Sequence, residues 1–132
     1  MKNKLKFIDG LYNDLSTNPD VLSLLGKFTD TNGSNPTLAL AFDDVKDYQR
    51  LPTLDSCFIV YNLESSAAMK SETKTVLERI ILKFFIKGYK APELVEVLIG
   101  QLNGSLLYNY KCDYLGQTDS PDHTTILRFS VI

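Results

Sequence analysis

Near the start of the chain, apolar residues recur three and four positions apart: Leu5, Ile8, Tyr12 and Leu15. That spacing gathers them on one side of a helix over about 4–16, with Gly10 weakening it slightly. Asn18-Pro19-Asp20 supplies a capping side chain, a proline for the first helical position and an acid for the first turn. With Val21, Leu22, Leu24 and Leu25 ahead of Gly26, it predicts a short second helix over 19–25. Residues 29–36 are turn formers and predict a polar loop. A short strand follows at 38–42, then a polar connection over 43–52, then the strand-favouring run Cys-Phe-Ile-Val-Tyr at 57–61. Ala91-Pro92-Glu93 opens a helix over 91–102, lined by Leu94, Val95, Leu98 and Leu102 and closed by Asn103-Gly104. Two strands, 106–115 and 124–131, are joined through the turn-rich stretch 116–122.

Residues 76–87 fit two periods. Val76, Leu77, Ile80, Ile81, Phe84 and Phe85 suit a helix, and Thr75 with Glu78 would make a capping box. In a strand, Val76, Ile80, Leu82, Phe84 and Ile86 share one face, with Arg79, Lys83 and Lys87 on the other. The density of Ile and Phe favours the strand.

A length of 132 residues, 44% hydrophobic and 23% charged, sets the expectation of a single α+β domain over 1–132. The net charge of −2 disfavours nucleic-acid binding through bulk charge. No apolar run approaches the ~18 residues of a membrane span, so no membrane partner is expected. Lys2, Lys4 and Lys6 precede only Phe7-Ile8 before Asp9, which is not the pattern of a secretory signal. The chain is therefore expected to stay in the cell that makes it. Cys57 and Cys112 sit in apolar, strand-like surroundings and are expected to be buried thiols.

Candidate chemistry is sparse. One His and two Cys give no zinc spacing, and no EF-hand pattern occurs. The seven glycines are too scattered for a phosphate cradle. His123 follows Asp122 in Ser120-Pro121-Asp122-His123, where an acid could orient an imidazole, but a polar turn explains the same residues. No catalytic residue, metal or cofactor is expected. The most distinctive local feature is basic: Lys70, Lys74, Arg79, Lys83, Lys87 and Lys90 fall within 21 positions. Arg79, Lys83 and Lys87 share a face in either period. They read as a solvated outer face, as a contact stripe for an acidic protein surface, or as a nucleic-acid contact with Phe85 stacking on a base.

The order of elements carries a resemblance. Leu11-Tyr12-Asn13-Asp14-Leu15 lies in the first helix and Pro19-Asp20-Val21-Leu22-Ser23-Leu24-Leu25-Gly26 in the second. A polar connection runs through Leu51-Pro52 into the strand at 57–61. A basic, aromatic strand, the helix opening at Ala91-Pro92-Glu93-Leu94 and a closing hairpin follow. This resembles the tail-terminator (tail-completion) proteins of long-tailed bacteriophages. The resemblance implies an antiparallel sheet of about four strands flanked by two main helices. Such subunits assemble into a ring, commonly of six, that caps the tail tube and meets the head–tail connector or neck protein. It implies a virion protein, present in the host cytoplasm during assembly, without enzyme activity, whose lumen passes DNA without binding it specifically. Residues 76–87 then become a strand pairing with 57–63, and 64–75 the loop between them. That loop has few apolar groups. Met69 would be its apolar anchor on a tail tube or an adjacent subunit, with Lys70 and Lys74 meeting acidic groups. Arg79, Lys83, Phe85 and Lys87 complete the candidate interface. A head-closure or neck ring protein fits as well; so, in other classes, do a small α+β enzyme around His123 and an adaptor that binds peptides along a sheet edge.

Overall fold

The computed structural model describes residues 3–28, 37–42, 57–66 and 79–132. It is an α+β domain: helices α1 (Lys4–Thr17), α2 (Pro19–Leu22) and α3 (Ala91–Leu102), and strands β1 (Lys27–Phe28), β2 (Thr37–Leu38), β3 (Leu40–Phe42), β4 (Cys57–Ser66), β5 (Arg79–Gly88), β6 (Ser105–Leu107), β7 (Tyr110–Asp119) and β8 (Thr125–Val131). The main sheet has six strands in the order β3-β4-β5-β8-β7-β6, and β1 with β2 forms a separate two-stranded ribbon.

The expected count of about four strands is therefore too low by two, since β3 and β6 join the main sheet, and two expected boundaries shift. The expected strand 106–115 is broken by Tyr108 and Asn109, both at positive φ (49° and 67°). Two such residues make the tight turn that joins paired strands, so β6 and β7 are two arms of a hairpin. The expected loop 116–122 is mostly strand, because β7 runs on to Asp119 past an irregularity between Tyr114 and Gly116. The sheet is also not purely antiparallel: the short β3 pairs in parallel with β4, Ala41 opposite Val60.

Residues 79–88 are a strand, paired antiparallel with β4 from Cys57 opposite Gly88 to Ser66 opposite Arg79. The expected strand 57–63 thus extends three residues into the expected loop. The rest of that loop, and the expected loop 29–36 and connection 43–52, lie outside the described residues.

α3 has the expected bounds, and its Ala91, Leu94, Val95, Leu98 and Leu102 are buried. α1 begins where the Asn3 side chain accepts hydrogen bonds from the Leu5 and Lys6 amides at 3.0 and 3.2 Å. Its buried stripe is Phe7, Leu11 and Leu15, not the expected Leu5, Ile8, Tyr12 and Leu15; Leu5 is 73% exposed. Gly10 accounts for the choice: a Cβ there would lie 1.8 Å from the Tyr108 ring, so the helix meets the β6–β7 turn through its glycine side. α2 is capped by Asn18, whose Oδ1 accepts from the Asp20 and Val21 amides at 2.9 and 3.3 Å. It stops at Leu22 rather than 25. Beyond it the backbone bonds to β4 instead: Cys57 N donates to Leu24 O, and Gly26 N to Cys57 O.

α1 and α3 cover one face of the sheet. The main core joins their buried stripes to Ile59, Tyr61, Leu82, Phe84, Ile86, Leu127, Phe129 and Val131. Phe84 and Phe129 meet edge to face at 5.7 Å, and Tyr61 adds its ring at 5.9 Å from Phe84. α1 touches both β3 and β6, the two edge strands. Cys57 and Cys112 are free and buried, and burial pushes both thiols up. Among the described residues no helix is long and apolar enough to cross a membrane.

Candidate functional site

β5 places the expected stripe on the face that no described helix covers. Ile80, Leu82, Phe84 and Ile86 are buried under the helices, while Ile81, Lys83, Phe85 and Lys87 alternate with them and are half-buried on the outer face. Arg79 occupies the next position of the same alternation. Met69, Lys70 and Lys74 lie outside the described residues.

Neighbouring strands turn this stripe into a surface. Phe85 sits between Val60 and Ile126, and Val60 faces Ala41, so one apolar row crosses four strands. Ala39, Phe58 and Val60 are buried there, with Ala41 and Phe85 packed against them as a second apolar cluster separate from the main core. The next row is polar: Lys83 lies between Asn62 and Arg128. Asn62 Oδ1 is buried without a hydrogen-bond partner.

Most charges on this face are answered within the chain. Lys83 Nζ donates to Glu64 Oε1 at 2.7 Å, Lys87 Nζ lies 3.9 Å from Asp122 Oδ2, and Lys111 Nζ lies 4.0 Å from Asp113 Oδ2. Arg128 differs: its Nη1 donates to the Thr118 hydroxyl at 2.8 Å, and it forms no ion pair among the described residues. The stripe is therefore partly self-neutralised, which the chain order of the lysines did not foretell. Glu64 and Asp122 come from a different strand and a turn. Arg128 and Ile126 were also missed as surface residues. Their signal was available: Ile126 and Arg128 alternate with the buried Leu127 and Phe129.

His123 is exposed in the turn before β8, at φ 67°. The Asp122 carboxylate is held by the Ser120 hydroxyl and the Thr124 amide. These bonds, the Ser120 one foremost, with a smaller contribution from Lys87, bring Asp122 down to about 2. The geometry is that of a turn tied by its own acid. Under the helices, the Tyr61 hydroxyl is buried without a partner, and burial holds the phenol well above its ordinary range. Among the described residues, no three His, Cys, Asp or Glu side chains gather as a metal-holding group.

Comparison with protein-family models, with curated proteins and with solved structures finds no match for this chain.

Proposed function

We propose that the chain is a non-enzymatic virion structural protein that works as a phage tail terminator does. Copies form a ring, of six by the resemblance, that caps the tail tube and joins it to the head through the connector. DNA passes the lumen without specific binding. The observation that carries this is the outer sheet face, where the half-buried Phe85 and Ile126 lie side by side, next to a row of Lys83 and Arg128. An aromatic and aliphatic centre with an arginine at its margin is what protein-contact surfaces favour. The net charge of −2 per chain keeps any ring acidic overall, which suits passage of DNA. Negative-stain microscopy and sedimentation of the purified protein test the proposal. Closed rings are expected, and a monomer at every concentration overturns it. Copurification with the tube protein or with the head side separates a terminator from a head-closure ring.

One observation favours a second function, a peptide-binding adaptor. β6 is an edge strand whose middle residue, Leu106, is 70% exposed. Leu106 lies between the pairs Ser105–Cys112 and Leu107–Tyr110 that the hairpin register sets, so its backbone N–H and C=O face away from β7. A stable monomer that binds extended peptides would favour this function over the ring.

A further inference from the structure

Between α3 and β6 the chain sets an asparagine before a glycine, Asn103-Gly104. This is the arrangement in which a side-chain amide is lost most readily. The glycine backbone nitrogen attacks the asparagine Cγ, and no Cβ on the glycine hinders the approach. Both residues are exposed, so water has access. The fold explains why the pair stands here. Asn103 has φ −64° and ψ 121°, and Gly104 has φ 76°. These angles match the centre of a type II turn, whose second position calls for glycine. The Asn103 side chain ties this turn to the sheet: its Oδ1 accepts from the Tyr114 amide at 3.0 Å. The Ser105 hydroxyl closes the turn from the other side, donating to Leu102 O at 2.7 Å. The same geometry keeps the reacting atoms apart. Ring closure needs the Gly104 nitrogen to eclipse the Asn103 Cβ, and from 121° ψ must swing to the opposite sign to bring it there. The Gly104 N–H must also lose its proton to attack, and it donates to Cys112 O at 2.7 Å.

We propose that Asn103-Gly104 is a deamidation site that the fold holds closed, so that only molecules whose α3–β6 junction has opened are modified. On opening, Gly104 N bonds to Asn103 Cγ, and the side-chain amide departs as ammonia with the proton that Gly104 gives up. Water then opens the cyclic imide at either carbonyl, giving aspartate or isoaspartate. One water enters and one ammonia leaves, with no oxidation or reduction. Aspartate keeps an acceptor for the Tyr114 amide and adds a negative charge. Isoaspartate adds a methylene to the main chain ahead of Gly104, and the Gly104–Cys112 bond then falls out of register. The modification thereby makes the opening permanent in that molecule. The junction is well placed for this, since β6 is paired on one side only. Elements at the margin of a sheet open at less cost than its central strands.

The test is peptide mapping by mass spectrometry of the full chain held at mildly alkaline pH, folded and in guanidinium chloride. Asn32-Gly33-Ser34 repeats the sequence Asn103-Gly104-Ser105, so the two pairs should convert at similar rates in the unfolded chain, where Asn32 calibrates the reaction. In the folded chain Asn103 should convert at least about tenfold more slowly than in denaturant, because only the open fraction reacts. Below the onset of global unfolding, added denaturant should raise that rate in step with hydrogen exchange of the Gly104 amide, which needs the same opening. Ser105→Ala removes the hydroxyl bond to Leu102 O. It should raise the folded-state rate about threefold or more and leave the rate in denaturant unchanged. If circular dichroism shows that Ser105→Ala does not fold, the wild-type denaturant series decides alone. Equal conversion of Asn103 in the folded and unfolded chain overturns the proposal. So does a folded-state rate that stays flat while exchange of the Gly104 amide rises.

Discussion

The helical layer and the outer sheet face handle their charges in opposite ways. On the outer face each described acid finds a lysine: Glu64 with Lys83, Asp122 with Lys87, Asp113 with Lys111. In the helical layer Asp9, Asp14, Asp20, Glu93 and Glu96 form no ion pair among the described residues. The two regions also differ beneath the surface. Each of the two long helices has one buried stripe, and its polar residues are exposed or half-buried. The outer face, in contrast, mixes a second apolar cluster with its ion pairs. A surface that satisfies its own charges can be solvated alone. The helices set five acids against two lysines, Lys4 and Lys6 of α1, so the helical layer keeps a net negative charge.

The sharpest way to break this comparison is to truncate adjacent residues of β5 that face opposite sides. Phe84 is fully buried between Tyr61 and Phe129, whereas Phe85 is half-buried outside. Phe84→Ala should cost about 3–5 kcal/mol of stability in urea unfolding, through lost burial and the cavity left behind. Phe85→Ala should cost no more than about 1–2 kcal/mol, since only part of the ring leaves water. Equal costs would mean that the outer face is a second full core and not a surface.

A smaller effect is expected where the helical layer is tied together. Asn18 caps α2 through Oδ1, and its Nδ2 donates to Gln101 Oε1 of α3 at 2.6 Å. Asn18→Ala removes the cap and the tie, and should cost roughly 1–2 kcal/mol. Asn18→Asp keeps the cap and loses only the donor to Gln101, so it should recover most of the loss. If both variants are neutral, the α2–α3 junction does not depend on this residue. Smaller again is the ion pair across β4 and β5. Lys83 is 19% and Glu64 52% exposed at the side chain. A double-mutant cycle to Ala should give a coupling of about 0.2–1 kcal/mol that shrinks with salt. A coupling well above that would mark Lys83 as desolvated, with a stronger internal partner than an interface residue should have.

Much of this architecture was legible, and the exceptions share a cause. α3 is bounded in the sequence by Pro92 and by Asn103-Gly104, and the alternation of β5 by Leu82, Phe84 and Ile86 between lysines; local signals suffice where one period dominates. In α1 two stripes overlap, 5-8-12-15 and 7-11-15, and only a distant turn decides between them: Tyr108 packs where Gly10 leaves room. α2 stops short of Leu24 and Leu25 because Cys57 of β4 bonds to the backbone of Leu24 and Gly26, a long-range effect absent from a capping pattern. Tyr108-Asn109 escaped notice as a turn because tyrosine is an uncommon occupant of positive φ. The candidate surface was half legible. The spacing of Lys83 and Lys87 gave the stripe, but the residues that neutralise it and the arginine beside it arrive by strand pairing from tens of positions away.

The smallest effect lies at the rim of the outer face, in the turn before β8, and its sign is set by hydrogen bonds more than by Lys87. Asp122 is brought from the ordinary 3.8 to about 2 by the Ser120 hydroxyl first and the Thr124 hydroxyl and amide next, with Lys87 at 3.9 Å contributing least. A carboxyl with a depressed folded-state value favours the fold fully above its unfolded value and loses that contribution as pH falls through the folded one. Asp122 should therefore contribute constantly above about pH 5 and progressively less between pH 4 and pH 2. Carboxyl chemical shifts followed from pH 6 to pH 1.5 should show Asp122 titrating at about 2. Ser120→Ala should move that midpoint up towards 3.8, and Lys87→Ala should barely move it. The difference in melting temperature between wild type and Asp122→Ala should close as pH falls to 2, because protonation has by then weakened the same bonds. If Lys87→Ala moves the midpoint as far as Ser120→Ala does, the ion pair governs the turn. The outer face would then be held together by charge to its rim, and its contrast with the acids of the helical layer would be stronger than the hydrogen bonds indicate.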